Sequence, residues 1–358
     1  MLGSAAMAEV KPFRAVRYVE AAGPLQSLVA PPYDVISPEE RERFRAASSY
    51  NVVHLTLADD EAEAGRLWRE WRADGVLEDE PEGVWWLSQD YVGPDEVART
   101  REGLVAALRA EPYETRVVLP HERTHRVPKE GRLRLLRETR AQLEPLFFLY
   151  EGEPVARRPD REPDLEVEGA RLWRLPPDGI AEAFADRQLL IADGHHRYET
   201  ALAYGPDVDV LAVLVSLDDP GLTIFPTHRV FEHSPSEELD TEETLPGPEA
   251  ALRALDQVPH DRAAAVVYRD GRSELAVDGN ELDVQLVDRL GHEGISYTPD
   301  WRRAVSAVDA GEAEVAVLMR PTRIEDVFAV AKRGETMPQK STYFYPKLVS
   351  GLLFLPLG

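Results

Sequence analysis

The sequence predicts a mixed α/β, or α+β, fold, and three observations carry that expectation. Short apolar runs of strand length alternate with helix-length segments over the whole chain. No internal repeat or low-complexity tract interrupts that alternation. The chain of 358 residues, 43% apolar and 30% charged, is long and apolar enough to bury a large core.

In chain order, Phe13–Val19 reads as a strand, Pro31-Pro32-Tyr33-Asp34 as a rigid loop, and Ser37 with Glu40 as a capping box opening a helix over Pro38–Ala47. Val52–Leu57, Val84–Gln89 and Leu104–Leu108 read as strands around a Glu61–Arg72 helix. A helix over Lys129–Leu143 then precedes the apolar strand Leu146–Tyr150. Proline and acidic residues cluster at 153–164 and 234–248 and mark joins or surface loops. Between them Leu189–Ala192 is a short strand, a helix runs over Tyr198–Tyr204, and Val208–Ser216 and Leu222–Phe225 are strands. Downstream, strands near Ala264–Tyr268, Gly294–Tyr297 and Val315–Leu318 alternate with helices near Glu249–Leu255, Val284–Leu290, Trp301–Val308 and Ile324–Lys332. The chain ends in a Pro-, Lys- and Tyr-rich loop, Met337–Lys347, and an apolar strand, Leu348–Leu355. The expected organisation is an N-terminal α/β region at 10–150, a middle core at 165–235 and a C-terminal α/β region at 245–358. Trp68, Trp71, Trp85 and Trp86 read as core contacts.

A formal charge of −24 repels a phosphodiester backbone, and no basic stripe offsets it, so nucleic acid is not an expected partner. A small phosphorylated ligand is compatible, because a few basic groups and backbone N–H donors make a locally positive pocket. With no cysteine, a thiol nucleophile and every cysteine-ligated metal site are excluded. No run approaches the roughly 18 apolar residues of a spanning helix, and Met1–Lys11 lacks a leader pattern, so no membrane association and a cytoplasmic location are expected. Arginine outnumbers lysine 36 to 5, which singles out the two lysines flanking Ser341.

The strongest constellation is Asp193-Gly194-His195-His196-Arg197, a strand ending in an Asp-Gly turn before a helix. Backbone N–H groups and a helix dipole receive an anion in that setting. Gly194 permits close approach, Arg197 offers a fork to phosphate, the two histidines donate to oxygens, and Asp193 holds a divalent metal or a substrate hydroxyl. Lys340, Ser341 and Thr342, with Lys347 beyond, supply an ammonium and hydroxyls beside aromatics that stack a base. The segment is not a P-loop, because Gln339 stands where the second glycine belongs and Pro338 lies inside it.

His121-Glu122-Arg123-Thr124-His125 has the zinc-protease spacing, but Pro120 and Pro128 leave about two turns of helix at most. His121, Glu122 and Thr124 are read instead as substrate or phosphate contacts. Asp34, beside Tyr33 on its stiff loop, is a general base or metal ligand, or alternatively a cap on the turn into the helix. His228-Arg229 adds a second histidine–arginine pair for phosphate, or a plain strand end.

Taken together, Val29–Ile36, Asn51-Val52-Val53, Pro120-His121-Glu122 with Thr124, Ile191–Tyr198, Pro226–Arg229 and Met337–Lys347 with Gly351-Leu352 resemble the DUF-ten-fifteen family, a domain of unknown function. That family resembles in turn the ParB/sulfiredoxin-like superfamily and its free-serine kinases, through the Asp-Gly-His-His-Arg turn and a Pro-x-Lys-Ser/Thr-Thr element. The resemblance implies a ParB/sulfiredoxin-like nucleotide-binding core with additional α/β subdomains. It also implies that Asp193, His195, His196 and Arg197 hold phosphates and Mg²⁺ while Lys340, Ser341 and Thr342 close over them. The kinases use an N-terminal glutamate as base; here Asp34 and Glu122 both stand for that role.

The expected activity is therefore phosphoryl transfer from ATP or ADP with Mg²⁺ to a small hydroxyl substrate such as free L-serine. A ParB-like nucleotide switch and a metallohydrolase ligated by His121 and His125 are the alternatives.

Overall fold

A computed structural model describes residues 8–122, 127–167 and 169–358. Their strands form two principal sheets. The larger has nine strands, in the order Val118–Leu119, Leu189–Asp193, Leu146–Tyr150, Asp209–Ser216, Ala98–Arg109, Val84–Val92, Ala170–Leu175 and Leu165–Val167, with Val10–Lys11 added beside Ala98–Arg109. It is mixed: Leu189–Asp193 runs parallel to Val118–Leu119 and Asp209–Ser216 parallel to Leu146–Tyr150, whereas the other pairs are antiparallel. The N-terminal and middle segments of the chain thus share one sheet. The second sheet has six antiparallel strands, Thr241–Leu245, Arg272–Asp278, Ala263–Arg269, Val315–Leu318, His228–Phe231 and Ile295–Thr298.

Period-two side-chain alternation divides the large sheet's apolar content between two cores. Leu146, Phe148 and Tyr150 join Leu104, Leu108 and Leu214 on one face, under Tyr198 and Ala201 of the helix His195–Tyr204. Phe147 and Leu149 turn to the other face, into a core shared with Val315, Val317 and Phe328 of the C-terminal region. Buried on both faces, the central strands read as continuous apolar runs, which is why they were legible in the sequence. The Pro38–Ala47 helix carries the expected capping box, with Ser37 and Glu40 bonded to each other's backbone N–H. The tryptophans are core residues as expected, with Trp68 and Trp71 packed around Phe354 and Tyr18.

Several expected elements differ: the Lys129–Leu143 helix ends at Thr139, the Phe13–Val19 strand is Val16–Tyr18, and three more differ for identifiable reasons. The Val52–Leu57 run is a helical turn, Val53–Thr56, rather than a strand. Asn51 causes this: its Oδ1 accepts from Val53 N–H while its amide donates to the carbonyls of Ser27 and Val29. A short buried apolar run has no periodicity that separates the two outcomes. Leu348–Leu355 is strand only at Leu355–Pro356, because Gly351 adopts φ +95 and turns the chain, leaving isolated bridges at Ser350 and Phe354. The helix after Gly194 starts at His195, three residues earlier than Tyr198, so both histidines and Arg197 lie in its first turn. Among the described residues, no helix is long and apolar enough to cross a membrane.

Candidate functional site

The strand Leu189–Asp193 delivers Asp193 to the rim of the large sheet, and Gly194 reverses the chain into a helix within one residue. Gly194 has φ +99, and a Cβ there would lie 3.1 Å from Leu146 and 3.2 Å from the Arg197 guanidinium. Both the backbone conformation and the space therefore demand glycine. The result is a helix N-terminus opening on a cavity of about 450 Å³, within the range of small-molecule sites.

Asp193 organises the cations on that wall. Its Oδ2 accepts from Arg197 Nη2 at 2.7 Å and its Oδ1 from Lys347 Nζ at 2.5 Å, while Arg197 Nη1 donates to the Pro145 carbonyl at 2.6 Å. Burial alone raises a carboxyl pKa, but the Lys347 ammonium and the Arg197 guanidinium outweigh it and hold Asp193 well below the usual carboxylate range. Burial lowers Lys347, and Asp193 reverses that effect. Both lysine and aspartate are charged, from positions 154 residues apart in the chain.

A second layer is built from histidines. His121 is fully buried; its Nδ1–H donates to the Ile191 carbonyl at 2.7 Å, so Nε2 carries the lone pair and accepts from the Thr342 hydroxyl at 2.9 Å. His121 N–H is directed at His195 Nε2, 3.3 Å away, which fixes that ring as the Nδ1–H tautomer. Burial lowers both rings, His195 well below its ordinary value, and both are neutral at pH 7. His195 therefore has one ring donor for a ligand, not two. The His121 Nε2 lone pair is occupied by the Thr342 hydroxyl, which the zinc ion of the metallohydrolase alternative would have to displace. Its partner His125, together with Thr124, lies outside the described residues.

Tyr33 and Asp34 reach the cavity from a 3₁₀ turn, Tyr33–Val35, pinned from beneath. Glu144 accepts from Tyr33 N–H at 3.0 Å and from Ser350 Oγ at 3.3 Å, and the Arg132 guanidinium lies 3.6 Å over the Tyr33 ring. From the C-terminal loop, Lys340 and Thr342 face the cavity, Lys340 from a left-handed residue at φ +57. Ser341 does not: it is 3% exposed, its Oγ donates to the Pro338 carbonyl, and its own carbonyl accepts from Thr322. The strand Tyr343–Tyr345, paired with Thr223–Phe225, anchors this loop and sets Tyr343 in the wall.

The expected residues Tyr33, Asp34, Glu122, Asp193, Gly194, His195, His196, Arg197, Lys340, Thr342 and Lys347 therefore share one cavity. His228 and Arg229 stand behind it. His228 Nδ1 accepts from Met319 N–H at 3.0 Å, Arg229 Nη1 donates to the Thr227 carbonyl at 2.7 Å, and both side chains are buried. What they support is Thr227 and Tyr297, which line the cavity with Thr298 and Pro299. No sequence signal marked Tyr297-Thr298-Pro299, because they reach the site through sheet pairing of Ile295–Thr298 with His228–Phe231.

Among the described residues, no three histidine or acidic side chains gather as a metal-binding group. Both Asp193 oxygens accept from cations, Arg197 on one and Lys347 on the other, so its charge is already balanced by two neighbours. Mg²⁺ on a phosphate ligand needs only one or two carboxylates, and Asp34 faces the cavity close enough to interact electrostatically with Arg197 and Lys347. The carboxylate set fits Mg²⁺ on that footing.

Over residues 10–292 the chain matches the model of the DUF-ten-fifteen family, described as protein of unknown function (DUF1015). It belongs to that family. None of the curated proteins matches it in sequence. Among solved structures it is similar to a free serine kinase in complex with AMP, at 17% identity and TM-score 0.41 over 64% of this chain and 83% of that one. It is also similar to a conserved hypothetical protein from Pyrococcus furiosus, at 16% identity and TM-score 0.40 over 67% of this chain and 92% of that one. A third likeness is to SbnI with a C-terminal truncation from Staphylococcus aureus, at 12% identity and TM-score 0.40 over 71% and 87%. Likenesses this distant carry no argument about activity.

Proposed function

We propose that this protein transfers a phosphoryl group from ATP or ADP, with Mg²⁺, to the hydroxyl of a small molecule of the size and polarity of free serine. One observation carries the reading: Arg197, Lys347, Lys340 and the N-terminus of the helix His195–Tyr204 line one cavity together with the carboxylates Asp34 and Glu122 and the tyrosines Tyr33, Tyr297 and Tyr343. Phosphoryl transfer asks for such positioning and charge neutralisation and little covalent chemistry from the protein.

The cation wall takes the phosphates, with Asp34 the carboxylate that would hold Mg²⁺ beside them. Bound Mg²⁺ supplies charge neutralisation on the phosphate oxygens. Glu122 interacts electrostatically with His121 and Tyr297 and takes the acceptor's proton as general base. Tyr33, Tyr297 and Tyr343 give flat surfaces for the base or the acceptor.

The test is nucleotide consumption with a panel of hydroxyl-bearing amino acids and related alcohols. Consumption that depends on an acceptor, and falls at least about tenfold in Lys340→Ala through loss of a charged phosphate contact, supports the reading. Slow hydrolysis indifferent to any acceptor would move the assignment to a nucleotide switch.

A further inference from the structure

The pairing of Thr342 with His121 is more than a phosphate contact requires. A hydroxyl that only binds phosphate donates its proton to the phosphate oxygen. Here Thr342 donates instead to a buried ring nitrogen, His121 Nε2, at 2.9 Å. The tautomer that makes Nε2 an acceptor is locked by the 2.7 Å bond from Nδ1–H to the Ile191 carbonyl. With its proton directed to the ring, the Thr342 oxygen keeps both lone pairs, and Thr342 lines the same cavity as Lys340 and Arg197. Glu122 Oε1 lies 3.8 Å from His121 Nε2, placed to stabilise the ring once protonated. A nucleophile, a base within hydrogen-bond reach and a third group orienting that base are the parts of an activated hydroxyl.

We infer that Thr342 is a nucleophile that takes the phosphoryl group from the nucleotide before it reaches the acceptor, with His121 as its base. In the first step a bond forms between Thr342 Oγ1 and the terminal phosphorus. The bond from that phosphorus to the bridging oxygen breaks, the nucleotide leaves with one phosphate fewer, and the Thr342 proton moves to His121 Nε2. In the second step the acceptor hydroxyl attacks phosphothreonine and loses its proton to Glu122. The departing Thr342 oxygen recovers its proton from His121. The neutrality of His121, imposed by burial, leaves the ring ready to accept in the first step. Lys340, two residues away on the same wall, neutralises the phosphoryl oxygens in both steps.

This inference rests on the phosphotransfer reading, and one experiment separates the two. The full-length protein is mixed with MgATP or MgADP without acceptor, quenched in acid and weighed intact, then digested to locate the label. Nucleotide binding by calorimetry and acceptor-dependent turnover are measured on the same preparation. The expected result is protein carrying one added phosphoryl group on the peptide containing Thr342, discharged when acceptor is supplied before the quench.

Thr342→Val keeps the shape, binds nucleotide, takes no label and loses at least about 100-fold in turnover. Thr342→Ser restores the label on the same peptide, which a merely structural threonine has no reason to do. His121→Gln labels at least about 100-fold more slowly. Turnover with acceptor but no labelled protein, or Thr342→Val as active as the parent, overturns the nucleophile and leaves direct transfer standing. Absence of both nucleotide binding and turnover removes both readings together.

Discussion

Two stretches of this chain place histidine beside arginine and meet opposite fates. In Asp193-Gly194-His195-His196-Arg197, a left-handed glycine ends the strand and starts a helix, so the polar side chains fall on a helix N-terminus that opens on the cavity. In Thr227-His228-Arg229 the chain stays extended, inside an antiparallel sheet paired on both sides, by Ile295–Thr298 and by Val315–Leu318. There His228 and Arg229 are spent on Met319 and Thr227. The residue types are the same, and the backbone decides which set faces a ligand. The second pair still contributes, because Thr227 and Tyr297, which it braces, are wall residues of the same cavity.

The largest effect is expected where the open stretch is also structural. Arg197 is 9% exposed and joins Pro145 to Asp193, so Arg197→Ala strands the Pro145 carbonyl and leaves Asp193 with Lys347 as its remaining cation. Losing hydrogen bonds made by a charged group costs about 1.5–3 kcal/mol each. Urea unfolding should show that loss, and calorimetry with ADP should show binding abolished. A variant as stable as the parent that no longer binds would mean that Arg197 serves the ligand alone, restoring the simpler picture that the sequence suggested.

Much of that picture was legible. The Asp-Gly turn between an apolar strand and a helix marked residues that line the cavity, and the scarcity of lysine pointed to Lys340 and Lys347, which line it too. Three features were not legible, each for a physical reason. The pairing of Asp193 with Lys347 was not legible because a carboxylate's partners are set by what folds against it, and Lys347 is distant in sequence. Ser341 read as a ligand contact because sequence does not show which way each residue of a turn points, and only the fold shows that Gln339, Lys340 and Thr342 line the cavity while Ser341 turns inward. Tyr297-Thr298-Pro299 carries no local signature, since sheet pairing alone brings it to the site.

The closed stretch predicts a pH effect on stability separate from binding. Burial pushes His228 down to about 4, from an ordinary value of about 6.5. The folded protein resists a proton that the unfolded chain accepts. The stability contributed by the neutral ring is therefore complete above about pH 6.5 and lost as pH falls towards 4, a change of ~3 kcal/mol. His121 and His195 are lowered too and add to the parent's slope in the same direction. His228→Gln keeps an acceptor for Met319 N–H and should flatten the dependence of the urea midpoint between pH 7 and 4.5 by the His228 share. An unchanged slope in the variant would show that His228 is not a buried ring that excludes a proton.

The smallest effect on ligand binding, and the sharpest test of the contrast, belongs to Arg229→Lys. The substitution keeps the charge and one donor but loses the planar fork that spans from the Thr227 carbonyl to the Tyr297 ring. Were Arg229 a phosphate ligand, losing that fork would weaken nucleotide binding by about tenfold or more, the cost of a charged hydrogen bond. As a brace behind the wall it should leave nucleotide affinity within about twofold, the range of substitutions away from direct contacts. Affinity for the acceptor should move further than affinity for the nucleotide, because the proposed mechanism assigns Tyr297 and Glu122 to the acceptor. Titrating nucleotide and acceptor separately against the same variant reads the two quantities independently. A loss confined to nucleotide would place Arg229 with Arg197 and erase the distinction between the two stretches.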